Sequence, residues 1–168
     1  AGASVNFVTS GGVNGTSNKI AITQFPAGTA TPTAALLNKG VFFGGSNYAA
    51  YDALGFVRAL IYGGTDANAP ATIASAATLG LDDITKNVAI SGDITAQTTA
   101  SVNTLKLGAS NLALASGTDV LTTNGLLSSG SASASISGGR LQSAANGELV
   151  VRVDGSADKL TIASTIQN

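Results

Sequence analysis

The 168-residue chain carries eight Lys and Arg against nine Asp and Glu, a net charge of −1, and no His, Cys, Met or Trp. Without His or Cys it lacks the parts for a Ser-His-Asp or Cys-His nucleophile and for the usual zinc, haem and iron–sulfur ligand sets. Charged residues make up only 10%, which leaves no basic footprint for nucleic acid and no polybasic patch for a membrane surface.

Hydrophobic residues at 44% set the chain apart from disordered tails, which combine low hydrophobicity with high charge. No apolar run approaches the ~20 residues of a membrane-spanning helix, so no membrane insertion is expected. Ala1 reads as a mature or excised start, since neither an initiator Met nor a signal peptide precedes it. Helix formers are scarce, with a single Glu and 21 Gly. β-Branched residues punctuated by Gly, Asn, Ser and Asp are strand-and-turn chemistry instead.

In chain order, Ser4–Val8 and Lys19–Thr23 alternate as short strands. Pro26 to Pro32 reads as a protruding corner. The segment 41–62 is distinct, because it gathers Phe42, Phe43, Tyr48, Tyr51, Phe56 and Tyr62, and no aromatic residue follows it. Within it Asp52, Gly55 and Arg58 fall three apart, as on a helix face. A mid-helix Gly55 would cost about 1 kcal/mol relative to Ala, so two strands joined by a turn at Asp52–Gly55 are preferred. Asn87–Ser91 is a further strand, and beyond residue 100 the pattern tightens into Thr104–Leu107, Asn111–Ala115, Val120–Thr122, Leu126–Ser128, Ala134–Ser137, Glu148–Val153 and Leu160–Ile162. The dipeptides Asn14-Gly15, Asn124-Gly125 and Asn146-Gly147 read as tight turns that need a positive φ.

Turn signals every 8–12 residues or so fit either a β-sandwich or a coil of stacked short strands. The lack of large core residues after Tyr62 favours the coil, whose narrow interior takes small and medium aliphatics. The expectation is an all-β chain, a single β-solenoid domain over 1–168. At roughly 20 residues per turn it would make about eight rungs. A β-sandwich is the alternative. Asn and Ser are expected to stack in ladders at the corners.

The segment 103–166 resembles the repeat region of giant bacterial surface proteins with autotransporter-associated β-strand repeats. The pieces that carry the likeness are Asn103-Thr104-Leu105-Lys106-Leu107, Gly125-Leu126-Leu127-Ser128-Ser129-Gly130, Ile136-Ser137-Gly138-Gly139, Asn146-Gly147-Glu148-Leu149-Val150-Val151 and Leu160-Thr161-Ile162. Phe42-Phe43-Gly44-Gly45 and Ala50-Tyr51-Asp52 resemble a segment that precedes such repeats. The resemblance implies a right-handed parallel β-helix, export to the bacterial cell surface, and a role in adhesion, stalks or matrix, with no catalytic residues to transfer. The family's Lys-Thr-Gly-Ala-Gly continuation and its outer-membrane barrel are missing. The chain is therefore expected to be a segment of a longer protein or a processed subunit.

Other motifs weigh little. Ser156-Ala157-Asp158-Lys159 matches S-x-x-K but lacks the S-D-N and K-T-G partners, and reads as a solvated turn. Asp66, Asp82, Asp83 and Asp93 would make a calcium site only if stacking gathered them. Arg140, Arg152 and Asp154 are the charges a polysaccharide lyase would use, and read as outward charges that blunt aggregation. The glycines at 11, 12, 15, 44 and 45 form no phosphate-binding loop.

The expected function is structural: an extracellular rod, stalk or self-assembling filament, with no enzyme activity and no cofactor. Its open ends would meet head to tail, or continue into a longer chain, through Thr161, Ile162, Thr165 and Ile166. The alternative is an adhesin or fibre module that holds glycans on Tyr48, Tyr51, Phe56 and Tyr62.

Overall fold

The computed structural model describes residues 4–23, 34–64, 66, 68, 70, 72–75, 78–79, 82–145 and 147–167. Every regular element among them is a β-strand. The proposed corner at Pro26–Pro32 and the Asn146 half of the last Asn-Gly turn lie outside the described residues. The chain divides into two units, Ala1–Ala71 and Thr72–Asn168.

The first unit is a five-stranded sheet of β1 (Val5–Phe7), β2 (Ala35–Leu36), β3 (Val41–Phe43), β4 (Asn47–Tyr51) and β5 (Val57–Ala59). β3, β4 and β5 run antiparallel in sequence, and β1 lies parallel to β3. Gly44 and Gly45, at φ 61° and 76°, reverse the chain after β3. Asp52–Gly55 reverses it after β4, so the turn preferred over a helix is the observed structure. Leu54 N–H donates to Asp52 Oδ1 at 2.5 Å, Gly55 N–H donates to the Asp52 carbonyl, and Gly55 adopts φ 85°. Phe42 and Tyr48 are cross-strand partners with ring centroids 5.3 Å apart. Lys19–Thr23 forms no strand, although Ile20 and Ile22 still pack on the core of Ala49, Tyr51 and Val57. Gly15 at φ 84° approaches the Phe56 ring so closely that a Cβ there would lie 2.4 Å from it.

The second unit is the coil. Its four-stranded sheet contains β8 (Ile94–Gln97), β10 (Leu112–Leu114), β12 (Ser133–Ser137) and β15 (Lys159–Ile162). Its seven-stranded sheet contains β6 (Thr72–Ser75), β7 (Asp82–Ile90), β9 (Ala100–Leu107), β11 (Val120–Ser128), β13 (Arg140–Gln142), β14 (Val150–Val153) and β16 (Thr165–Gln167). All pairings in both sheets are parallel. β11 pairs with β13 through Val120–Thr122 and with β14 through Gly125–Ser128. A full turn thus presents three strand segments. Asn124-Gly125 lies inside β11 with no positive φ, where a tight turn was expected.

The result is a parallel β-solenoid of about four turns, not eight. Two causes account for the difference. Among the described residues the stacked parallel coil lies in the second unit, because glycine and aspartate reversals fold the aromatic segment back on itself instead of winding it on. The turns also exceed 20 residues toward the C-terminus. Val88, Leu105, Leu126 and Val151 stand in one column at spacings of 17, 21 and 25 residues. The added length falls between strands, as between β13 and β14.

Inward columns supply the core: Ile94, Leu112, Ile136 and Ile162 form one, and Ala100, Leu121, Leu141 and Ile166 another. One corner carries an asparagine ladder. Asn103 Nδ2 and Thr104 Oγ1 donate to Asn87 Oδ1 at 3.1 and 2.9 Å, Asn124 Nδ2 donates to Asn103 Oδ1, and Ala144 N–H donates to Asn124 Oδ1. Aspartates stitch other corners across turns. Asp93 accepts from Asn111 N–H at 2.7 Å, Asp119 from Thr99 N–H at 3.0 Å and Asp158 from Ala132 N–H at 3.1 Å.

Candidate functional site

Two places stand out, one in each unit. The first is the C-terminal end of the coil. β15 and β16 are the edges of their sheets, and β14 pairs on one side only, with β11. Of the four residues expected at this end, Ile162 and Ile166 continue the inward columns, while Thr161 and Thr165 occupy outward positions opposite Ser135 and Arg140. With no described turn beyond them, the inward side chains lie open: Ile166 is 62% exposed, Val151 45% and Val153 43%. Val151 and Val153 were overlooked from sequence because they precede the last strands. Only the register shows that they share the final layer. The first turn differs, since Leu79, Val88, Ile90 and Ile94 are all buried. Leu79 N–H donates to the buried side-chain oxygen of Gln97 at 2.7 Å.

The second place is in the aromatic unit. Tyr48, Tyr51 and Phe56 are buried, with Tyr62 half-buried. Burial, with Tyr62 adding to it, pushes the Tyr48 hydroxyl well above the ordinary range for tyrosine. Tyr51 Oη donates to the carbonyls of Ile22 and Gly55. Tyr48, Tyr51 and Phe56 thus belong to the unit's core.

What opens to solvent beside them is a pocket of about 450 Å³. Phe43, Phe56, Ala59 and Ile61 give it apolar walls, and Asn14, Arg58 and Asp66 are its polar residues. Arg58 Nη1 bonds Asp52 Oδ2 at 2.6 Å and Nη2 bonds Asp66 Oδ2 at 2.5 Å. Asp52 is fully buried and Asp66 is exposed at the rim. Burial works to lower the Arg58 pKa, but the two carboxylates outweigh it and hold the value above that of a free guanidinium. The Arg58 hydrogen bond holds the Asp66 carboxyl below the usual range. Neither Asn14 nor Arg58 stood out as a site residue from sequence, because only the fold brings them to one pocket.

The remaining motifs make contacts within the chain. Asp66 pairs with Arg58, Asp83 with Thr85 and Lys86, and Asp93 with Asn111. Among the described residues, no three Asp or Glu gather to hold a metal ion. Arg152 of β14 pairs with Asp154, just past that strand, at 2.9 Å, whereas Arg140 sits on β13. Ser156–Asp158 lies in a turn closed by Asp158, which accepts from Gly155 N–H and Ala132 N–H, and Lys159 begins β15.

No family model matches the chain, and no curated protein or solved structure is significantly similar to it.

Proposed function

We propose that this protein is a structural β-solenoid, a section of an extracellular rod, stalk or filament on a bacterial surface. The observation that carries the reading is the stacked parallel coil of the second unit, whose aliphatic columns and corner ladders repeat from turn to turn. Three edge strands present unpaired backbone groups around the aliphatic residues Val151, Val153, Ile162 and Ile166. A layer of this kind is what another β-turn stacks on, each turn adding hydrogen bonds about 4.8 Å further along the axis.

In a filament the stacking partner is another copy meeting this layer head to tail, a contact that propagates rather than closes. The right-handed winding, the cell-surface location and the kinship with autotransporter-associated repeats belong to the same proposal. So does the absence of catalysis. The mechanism is mechanical, since load along the coil is shared by parallel ladders whose bonds contribute roughly 1 kcal/mol each.

The test is electron microscopy of the native material, labelled with an antibody raised against this chain. Labelled thin rods or fibres outside the cell are the expected result. Label confined to compact intracellular particles would overturn the proposal.

A further inference from the structure

We infer that the pocket of the N-terminal unit is a binding site for a neutral saccharide unit. Its volume of about 450 Å³ lies within the range of roughly 300–1,000 Å³ typical of small-ligand sites. Three features define what fits. Phe43 and Ile61 offer apolar surface at a mouth where Ile61 is 53% exposed, which suits the C–H faces of a pyranose. At the rim the Arg58–Asp66 pair sets donors beside a carboxylate acceptor. A hydroxyl can accept from the guanidinium while its neighbour on the ring donates to the carboxylate. Asn14 spends its Nδ2 on the Val57 carbonyl at 3.2 Å, and its Oδ1 is buried with no hydrogen-bond partner. A buried acceptor without a donor is costly; a turn of the Asn14 side chain toward the pocket it lines would let a ligand hydroxyl supply one.

The other ligand classes fit less well. An anion meets an arginine already neutralised by Asp52 and Asp66. A cation meets an Asp66 already committed to Arg58. A hydrocarbon would desolvate Asn14, Arg58 and Asp66 and return no hydrogen bonds. The site uses Phe56 as a wall, whereas the buried Tyr48 and Tyr51 do not line it. It lies in the unit 1–71, whereas the rod reading rests on 72–168, so either can fail alone.

The test is an NMR titration of the whole chain with glucose, galactose, mannose and N-acetylglucosamine. Galacturonate and cyclohexanol serve as the anionic and apolar probes. At least one neutral sugar is expected to bind. Asp66→Ala and Ile61→Ala should each weaken it by about tenfold or more, the loss expected for a charge-assisted hydrogen bond or a well-used apolar contact. Leu54→Ala, in the exposed turn outside the pocket, should leave binding unchanged, and circular dichroism should show all three variants folded. Failure of every neutral sugar to bind, tighter binding of galacturonate or cyclohexanol, or binding indifferent to both pocket substitutions would overturn the inference.

Discussion

Leu126 and Val151 are partners in adjacent turns and stand in one inward column, yet Leu126 is fully buried and Val151 is 45% exposed. The side chains are similar. What differs is that Leu126 has Leu105 on one side and Val151 on the other, whereas Val151 has a neighbour on one side only. Leu126→Ala should therefore cost about 2–5 kcal/mol, as for a large-to-small change in a closed core. Val151→Ala should cost less than about 1 kcal/mol. Urea unfolding followed by far-UV circular dichroism checks both, and equal losses would contradict the stacked core.

The asparagine ladder makes a separate prediction. Asn87 Oδ1 is the acceptor for both Asn103 and the buried Thr104 hydroxyl. Asn87→Ala strips both of their acceptor and should cost roughly 1–3 kcal/mol. Amide exchange near residues 103–104 should rise with it, while exchange in the first unit should not change.

In the first unit the two carboxylates on Arg58 are not equivalent. Asp52→Ala removes the buried partner and should destabilise by about 3–5 kcal/mol, because it leaves a largely buried guanidinium short of compensation. Asp66→Ala leaves the Asp52–Arg58 pair in place and should be close to neutral for folding. All three tyrosines lie between residues 48 and 62, so intrinsic tyrosine fluorescence during denaturation reports on this unit alone.

The corner aspartates give the coil an acid sensitivity. Asp119 is held below the ordinary carboxylate range by its Ser116 hydrogen bond, and Asp158 by the Gly155 N–H. A folded-state pKa below the unfolded value of about 3.8 means the stabilisation is complete above that value. It drains as pH falls through the depressed one. Urea midpoints should be flat from about pH 7 to 5 and fall below about pH 4. Asp119→Asn should flatten that fall. Asp158→Ala should lower the melting temperature, although the sequence reads that residue as a plain solvated turn.

At the open end, Val153→Lys and Ile166→Lys place charge on side chains already in solvent. Both variants should fold and should reduce any concentration-dependent association of the chain in sedimentation. Ile136→Lys, buried in the same stack, should fail to fold. Unchanged association in both end variants would remove this layer as the contact surface.

Local pattern made much of this architecture readable. Short β-branched runs between glycines announced the strands, and the lack of aromatic residues after Tyr62 announced a narrow core. The turn at Asp52–Gly55 followed from the cost of a mid-helix glycine. Register was hidden, because it depends on which strands lie one turn apart and no fixed spacing marks it. Gly125 looked like punctuation, yet it pairs with Thr104 and Val150 inside a nine-residue strand. Val151 and Val153 were invisible as end residues for the same reason. The pocket was illegible because Asn14, Phe43, Arg58 and Asp66 are distant in sequence and meet only once the hairpins of the first unit close.

The lengthening of successive turns from 17 to 21 to 25 residues has a bearing on misthreading. In a coil of identical layers, a slip by one whole layer restores every contact and leaves no trace. Here such a slip would set a 21-residue layer where a 25-residue one belongs, and the asparagine and aspartate stitches would miss their targets. Unequal layers thus act as a built-in ruler: each has only one address in the stack.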